Sequence, residues 1–302
     1  MAVQLYREPE LEKPMMFVGW PGIGNIGILA VNMLKSFVNA EEFGEIESWD
    51  FFYPKRVLIS GGILKELEFP TNRFYYRRLA QQDVIFFIGE EQPTEGGRIY
   101  ASGEKAFRLA NLVVDVALRF SCRRIYTSGA CISLIHHQVK PRVCAVVSSK
   151  KCVSEIRRFP NTIVMSDLGG RSEDEGMITG LNGLLLAVAK KRGLEGMCLM
   201  GEIPDWLSML SLPYPKASKS VLEVFSTLLG LPTNFVDLDP MIQQVDAMVE
   251  GFYAKFPKEM KEEYDHRKSE TRAKPGTVTI QARVYIDEQF KKEGEEGGEG
   301  FS

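Results

Sequence analysis

Two kinds of residue in this chain could do chemistry: the glycines of a loop near residue 20, and the acids that close apolar runs. In "VGWPGIGNIGILAV" (residues 18–31), Gly22, Gly24 and Gly27 satisfy G-x-G-x-x-G between an apolar run and a helix-like one. Such a loop turns a strand into a helix whose unpaired N–H groups can hold an anion, with Asn25 beside them. A dinucleotide fold also wants an acid about 20 residues on, at the end of its second strand, and Glu45, Glu47 and Asp50 stand there. Trp20 and Pro21 argue the other way, because Pro21 fixes φ and removes a donor where the loop begins. A packed strand-to-helix turn, or a helix N-terminus that holds some other small anion, is therefore favoured over a dinucleotide site.

Glu90 and Glu91 follow "DVIFFI", at the point where open α/β sheets place their ligands. Asp205 closes a second apolar run after "GEIP", with Glu202 before it. Strand-end acids also cap helices or sit in solvated loops. The candidate ligand-binding set is thus Gly22, Gly24, Asn25, Gly27, Glu90 and Asp205. His136 and His137 are adjacent, and neighbours in regular structure point to different sides, so they read as loop histidines rather than metal ligands. Cys131 lies near His136, which could pair a thiol with a base. Its neighbours Ala130, Ile132 and Leu134 instead predict a buried structural thiol. No G-x-S-x-G, Walker A or H-E-x-x-H occurs, so no catalytic residue, cofactor or metal is assigned.

These residues need a scaffold, and the apolar pattern supplies one. Strand-like runs at Met15–Trp20, Val57–Ser60, Asp83–Ile88, Arg124–Thr127, Val143–Val147, Thr162–Met165 and Met197–Met200 alternate with helix-like stretches. The helices are expected at Ile26–Val38, Gly103–Phe120 (with Phe107, Ala110, Val113, Val114 and Ala117 on one face), Met177–Lys191 and Ala217–Leu229. That alternation predicts an α/β sandwich with a mostly parallel sheet. "DLGGRSEDEG" at 167–176 reads as a mobile loop. Asp239 before Pro240 starts a further helix, whose stripe from Met241 to Phe252 must pack on the body or on another subunit. The expected division is an α/β domain at 1–232, a C-terminal helix at 233–256, and a charged extension at 257–302. The extension holds a strand-like stretch at 277–286 and a disordered, low-complexity tail.

Composition narrows the function classes. The chain has 302 residues, 44% hydrophobic and 25% charged, with a net charge of −3. This is ample for a full core and lacks the basic excess of a nucleic-acid binder. The longest apolar runs fall well short of a membrane span, and five scattered cysteines fit reduced thiols in a cytoplasm.

Taken as an ordered set, the motifs resemble the PAC2 family, the proteasome-assembly-chaperone-2-like proteins of prokaryotic type. The matching stretches are "GWPGIGNIGILAVNML" (19–34), "DVIFFIGEEQP" (83–93), "IYTSGA" (125–130), "GMITGLNGLLLAVAKKRG" (176–193) and "GEIPDWLSMLSLPYPKASKSVLEVFSTLLGL" (201–231). The resemblance implies a three-layer α/β/α fold similar to purine nucleoside phosphorylases and peptidyl hydrolases, with a C-terminal helical extension. It implies protein partners, a homo-oligomer and no established catalytic residues. Several relatives dock on proteasome α-subunits through a terminal hydrophobic-Tyr-any tripeptide. This chain ends in "GEGFS", with Phe301 where the tyrosine would stand, which argues against direct proteasome docking. The expected role is a non-enzymatic assembly or interaction protein. The alternative is a small-molecule enzyme of nucleoside-phosphorylase-like fold using the glycine loop and the strand-end acids.

Overall fold

A computed structural model of the chain describes residues 2–94, 101–165 and 178–270. The first half contains β1 (Val3–Leu5), β2 (Met15–Gly19), α1 (Ile26–Phe37), β3 (Glu41–Ile46), β4 (Arg56–Ser60), β5 (Ile63–Glu68), β6 (Asn72–Arg77) and β7 (Val84–Gly89). Next come α2 (Gly103–Arg119), β8 (Arg124–Ser133), β9 (Val143–Val147), α3 (Lys150–Ile156) and β10 (Thr162–Val164). The chain then forms α4 (Gly180–Lys191), β11 (Glu195–Pro204), α5 (Pro215–Leu228), α6 (Asp239–Ala254) and α7 (Lys258–Glu270). The loop expected at 167–176 and the strand expected at 277–286 both lie wholly outside the described residues.

Among the described residues nine strands form one sheet, in the order β1-β3-β6-β7-β2-β8-β11-β9-β10. Its centre, β7-β2-β8-β11, is parallel, as expected for strands joined through helices. The flanks are not: β1, β3, β6 and β7 pair antiparallel, and β9 runs antiparallel to β11 before β10 rejoins it in parallel. The parallel expectation thus holds for the centre and for the β9–β10 edge pair. A short link of six residues, 78–83, joins β6 to β7, too short for a helical crossover, so the two strands must turn back on each other.

Alternating side chains divide the interior into two cores, which makes the three layers. Phe17, Val84, Phe86, Ile88 and Tyr126 point to one face and pack with α1, α5 and α6. Met16, Val18, Ile85, Phe87 and Ile125 point to the other and pack with α2 and α4. A strand covered on both faces has no polar side to show, which is why "DVIFFI" is an unbroken apolar run. Phe107 departs from the expected inward face of α2 and is 55% exposed, whereas Ala110, Val113, Val114 and Ala117 are fully buried.

The stripe of α6 packs on its own body through Val245, Val249 and Tyr253, which belong to the first core. The charged stretch after Pro257 opens with a helix, α7, and its Tyr264 is 2% exposed. Helix α7 was hidden in the sequence because a single buried aromatic carries its attachment among charged residues.

Candidate functional site

The loop between β2 and α1 is a tight turn built on two left-handed residues, Gly24 (φ 61°) and Asn25 (φ 48°). The Gly24 carbonyl accepts the Tyr214 N–H at 2.7 Å, and a Cβ on Gly24 would stand 3.1 Å from both Ile203 and Tyr214. In a dinucleotide fold the second glycine must admit a pyrophosphate; here that place is taken by side chains of β11 and of the residue preceding α5. Gly27 serves the third role, close helix–strand packing, since a Cβ there would lie 2.1 Å from the Ser128 carbonyl oxygen of β8. Gly22 and Asn25 are exposed.

Topology also separates this loop from a dinucleotide site. In that fold the strand after the first helix lies parallel beside the first strand. Here β3 lies three places from β2, between β1 and β6, and pairs antiparallel with both. Glu45 of β3 is accordingly carried to the far flank of the sheet, away from the glycines.

Gln92, not singled out in the sequence, ties the loop down. Its Nε2 donates to the Pro21 carbonyl at 2.6 Å, and its Oε1 accepts the Leu181 N–H at the start of α4 at 3.0 Å. Asn182 donates to the Ser128 carbonyl at 2.7 Å. These side-chain amides lie far apart in sequence, so no local pattern could have flagged them.

The two strand-end acids are also engaged. Glu90 accepts from Lys55 Nζ at 2.8 Å and from the Thr71 N–H at 2.9 Å. Partial burial works against ionisation, but these two partners hold its carboxyl below the usual range. Asp205 is 7% exposed and accepts the Tyr264 hydroxyl at 2.9 Å, while its other oxygen is buried with no hydrogen-bond partner. Burial pushes its pKa up. The acids close β7 and β11, three strand spacings apart, or roughly 14 Å. The structure therefore brings Gly22, Gly24, Asn25 and Gly27 together, and brings Glu90 and Asp205 neither to each other nor to one substrate. Glu202 is fully buried in a two-pronged pair with Arg142, at 2.8 and 2.7 Å.

The residues around Asp205 form a cluster that the sequence did not disclose. His136 and His137 are 1% and 2% exposed, with ring centroids 4.2 Å apart, so the expectation that they point apart is corrected. They stand in a loop, outside the alternation that regular structure imposes. His136 Nε2 lies 3.2 Å from Asp265 of α7, and His137 Nε2 lies 3.1 Å from Glu250 of α6. The Tyr253 ring lies tilted against His137, with centroids 4.5 Å apart, and its hydroxyl donates to Asp265 at 3.1 Å. Burial first, then neighbouring His137, pushes the pKa of His136 down to about 4. Two histidine–carboxylate pairs could serve as general bases, but these rings are packed under α6 and α7 and hold the helices to the sheet. Cys131 is buried, as expected.

The PAC2 family model matches residues 16–252, and the chain belongs to the PAC2 family. It is similar to PbaB of Pyrococcus furiosus, an archaeal proteasome activator, with 28% identity and a TM-score of 0.66 over 83% of this chain and 97% of that one. It is also similar in fold to P. furiosus PbaA, an archaeal homolog of proteasome-assembly chaperone, with 22% identity and a TM-score of 0.59. That match covers 90% of this chain and 100% of PbaA. An uncharacterised protein of Methanocaldococcus jannaschii is 28% identical over 251 residues, covering 83% of this chain and 86% of its own.

Proposed function

We propose that this chain is a non-enzymatic assembly chaperone or protein-interaction protein of the cytoplasm, working through protein partners that include its own copies. One observation supports this most: the residues with chemical capacity are used in packing. Gly24 and Gly27 are filled by neighbouring atoms, and Glu90 is held by Lys55 and the Thr71 N–H. Asp205 lies beneath Tyr264, three strand spacings from Glu90. A catalytic site needs reacting groups within a few ångströms of one substrate, and this arrangement offers no such convergence. The likeness to a proteasome activator supplies the client to try first.

Native mass spectrometry of the purified chain mixed with archaeal proteasome α-subunits tests the reading. A defined complex is expected. Absence of any protein complex, together with turnover of a nucleoside or phosphorylated substrate by the same preparation, would replace it with the enzyme reading.

A further inference from the structure

A cavity lined by none of the candidate site residues lies between α5 and the loop that joins α3 to β10, and encloses about 150 Å³. A space of about 150 Å³ takes up a single benzene-sized group, whereas drug-sized ligands need roughly 300–1,000 Å³. The cavity is therefore closed to a nucleoside or a dinucleotide and fits one small side chain. Phe159 and Pro160 of the loop and Val224 of α5 give it an apolar lining.

Its polar groups come from two sides. Ser220, Glu223, Val224 and Thr227 line it at i, i+3, i+4 and i+7, which is one face of α5. Ser220 donates its proton to the Pro141 carbonyl and Thr227 to the Glu223 carbonyl, both at 2.8 Å. Each hydroxyl is thus left with lone pairs to offer, so this wall accepts hydrogen bonds. Asn161 also donates to the Pro141 carbonyl at 2.8 Å, which ties the loop wall to the same point and keeps the cavity formed. Facing α5, Lys140 Nζ pairs with Glu223 Oε2 at 2.7 Å, with side chains 60% and 25% exposed, so the pair stands on the solvent side. Among the described residues neither head group makes a further hydrogen bond. Two ammonium protons and one carboxylate oxygen remain to be used.

A cation and an anion side by side, acceptors around the anion and an apolar recess behind them are the complement of an amino-acid zwitterion. Its ammonium would meet Glu223 and the two hydroxyls, its carboxylate Lys140, and its side chain Phe159, Pro160 and Val224. A peptide bound in mid-chain carries neither charge and would leave the pair unused. We propose that this cavity binds a free α-amino acid with a branched apolar side chain. The inference goes beyond the functional reading above and can fail independently of it.

Calorimetric titration of the full chain with L-leucine is expected to give saturable heat with a millimolar or tighter dissociation constant. Isocaproate lacks the ammonium and isoamylamine the carboxylate, and each should bind roughly tenfold or more weakly, as the loss of a charge-assisted hydrogen bond predicts. Glu223→Gln should weaken leucine about tenfold by the same argument. Thr227→Phe sets a ring into the cavity from an exposed position and should abolish binding. No saturable heat at about 20 mM L-leucine, equal binding of the three probes, or leucine binding undiminished in Thr227→Phe overturns the proposal. The three probes are compared on the unaltered chain, so that comparison decides even where a variant loses its fold. Leucine binding without any α-subunit complex would remove the functional reading alone, and a complex without leucine binding would remove this inference alone.

Discussion

Gly27 occupies the point where α1 comes nearest to β8, and a methyl group there would meet the Ser128 carbonyl oxygen at 2.1 Å. The obstacle is backbone on a central strand, so relief requires shifting the helix. Gly27→Ala is expected to cost about 3 kcal/mol or more in a denaturant titration, at the upper end of overpacking effects. Gly22→Ala, where a Cβ would meet nothing within 4 Å, should stay within about 0.5 kcal/mol, as exposed substitutions do. That contrast separates two glycines of one motif that look equal on paper. Glu202 gives the matching case for charge. Glu202→Gln breaks a pair in which the acid is fully buried. It should cost about 2–3 kcal/mol, below the range for fully buried pairs because Arg142 keeps some contact with water. The glycines were legible because turn chemistry is local. The partner of Glu202 was not, because Arg142 stands sixty residues away and only the β9–β11 pairing brings them together.

At the scale of elements, α6 and α7 form a clasp over the ends of β8 and β11, closed by His136, His137, Tyr253 and Tyr264. Its response to pH follows from the direction of the histidine shifts. Burial lowers the pKa of both histidines, that of His136 to about 4 from an unfolded value near 6.5. The unfolded chain therefore binds protons first, and stability present above pH 6.5 is lost as pH falls from 6.5 towards 4. Glu250, held below its usual range despite partial burial by Gln138 and His137, extends the loss to lower pH. Asp205, raised by burial, acts in the opposite sense, since its protonation relieves a buried charge. Hydrogen exchange followed across this interval should show α6 and α7 opening first on acidification, and His136→Gln should flatten the descent. Tyr264→Phe removes the hydroxyl that donates to the buried Asp205 carboxylate. It should raise exchange in α7 by roughly 10- to 100-fold, matching the 1–3 kcal/mol of an unsatisfied buried group. The stripe of α6 was visible as a helical period, whereas α7 reads as a solvated charged segment until Tyr264 is seen beneath it.

For the molecule as a whole, strand order matters more than any motif. A chain whose β3 lies on the far antiparallel flank, and whose Gly24 is covered by Ile203 and Tyr214, lacks the crevice a dinucleotide requires. Calorimetric titration with NAD(H) at millimolar concentration is expected to show no saturable heat; a dissociation constant below that range would contradict the topology argument. The same order places Glu90 and Asp205 on opposite sides of the central parallel pair β2 and β8.

The sequence by itself determined the central strands, the longer amphipathic helices and the glycine turn, because hydrophobic period and turn chemistry are properties of a few consecutive residues; β1, β3, β5, β6 and α3 were not read from it. It also carried the family, through the order of motifs that are each weak alone. Strand order, the antiparallel flanks and the burial of both histidines were decided by the tertiary structure. Each depends on which distant segments meet, and the free energy of that choice is spread over two whole cores rather than written in any one stretch.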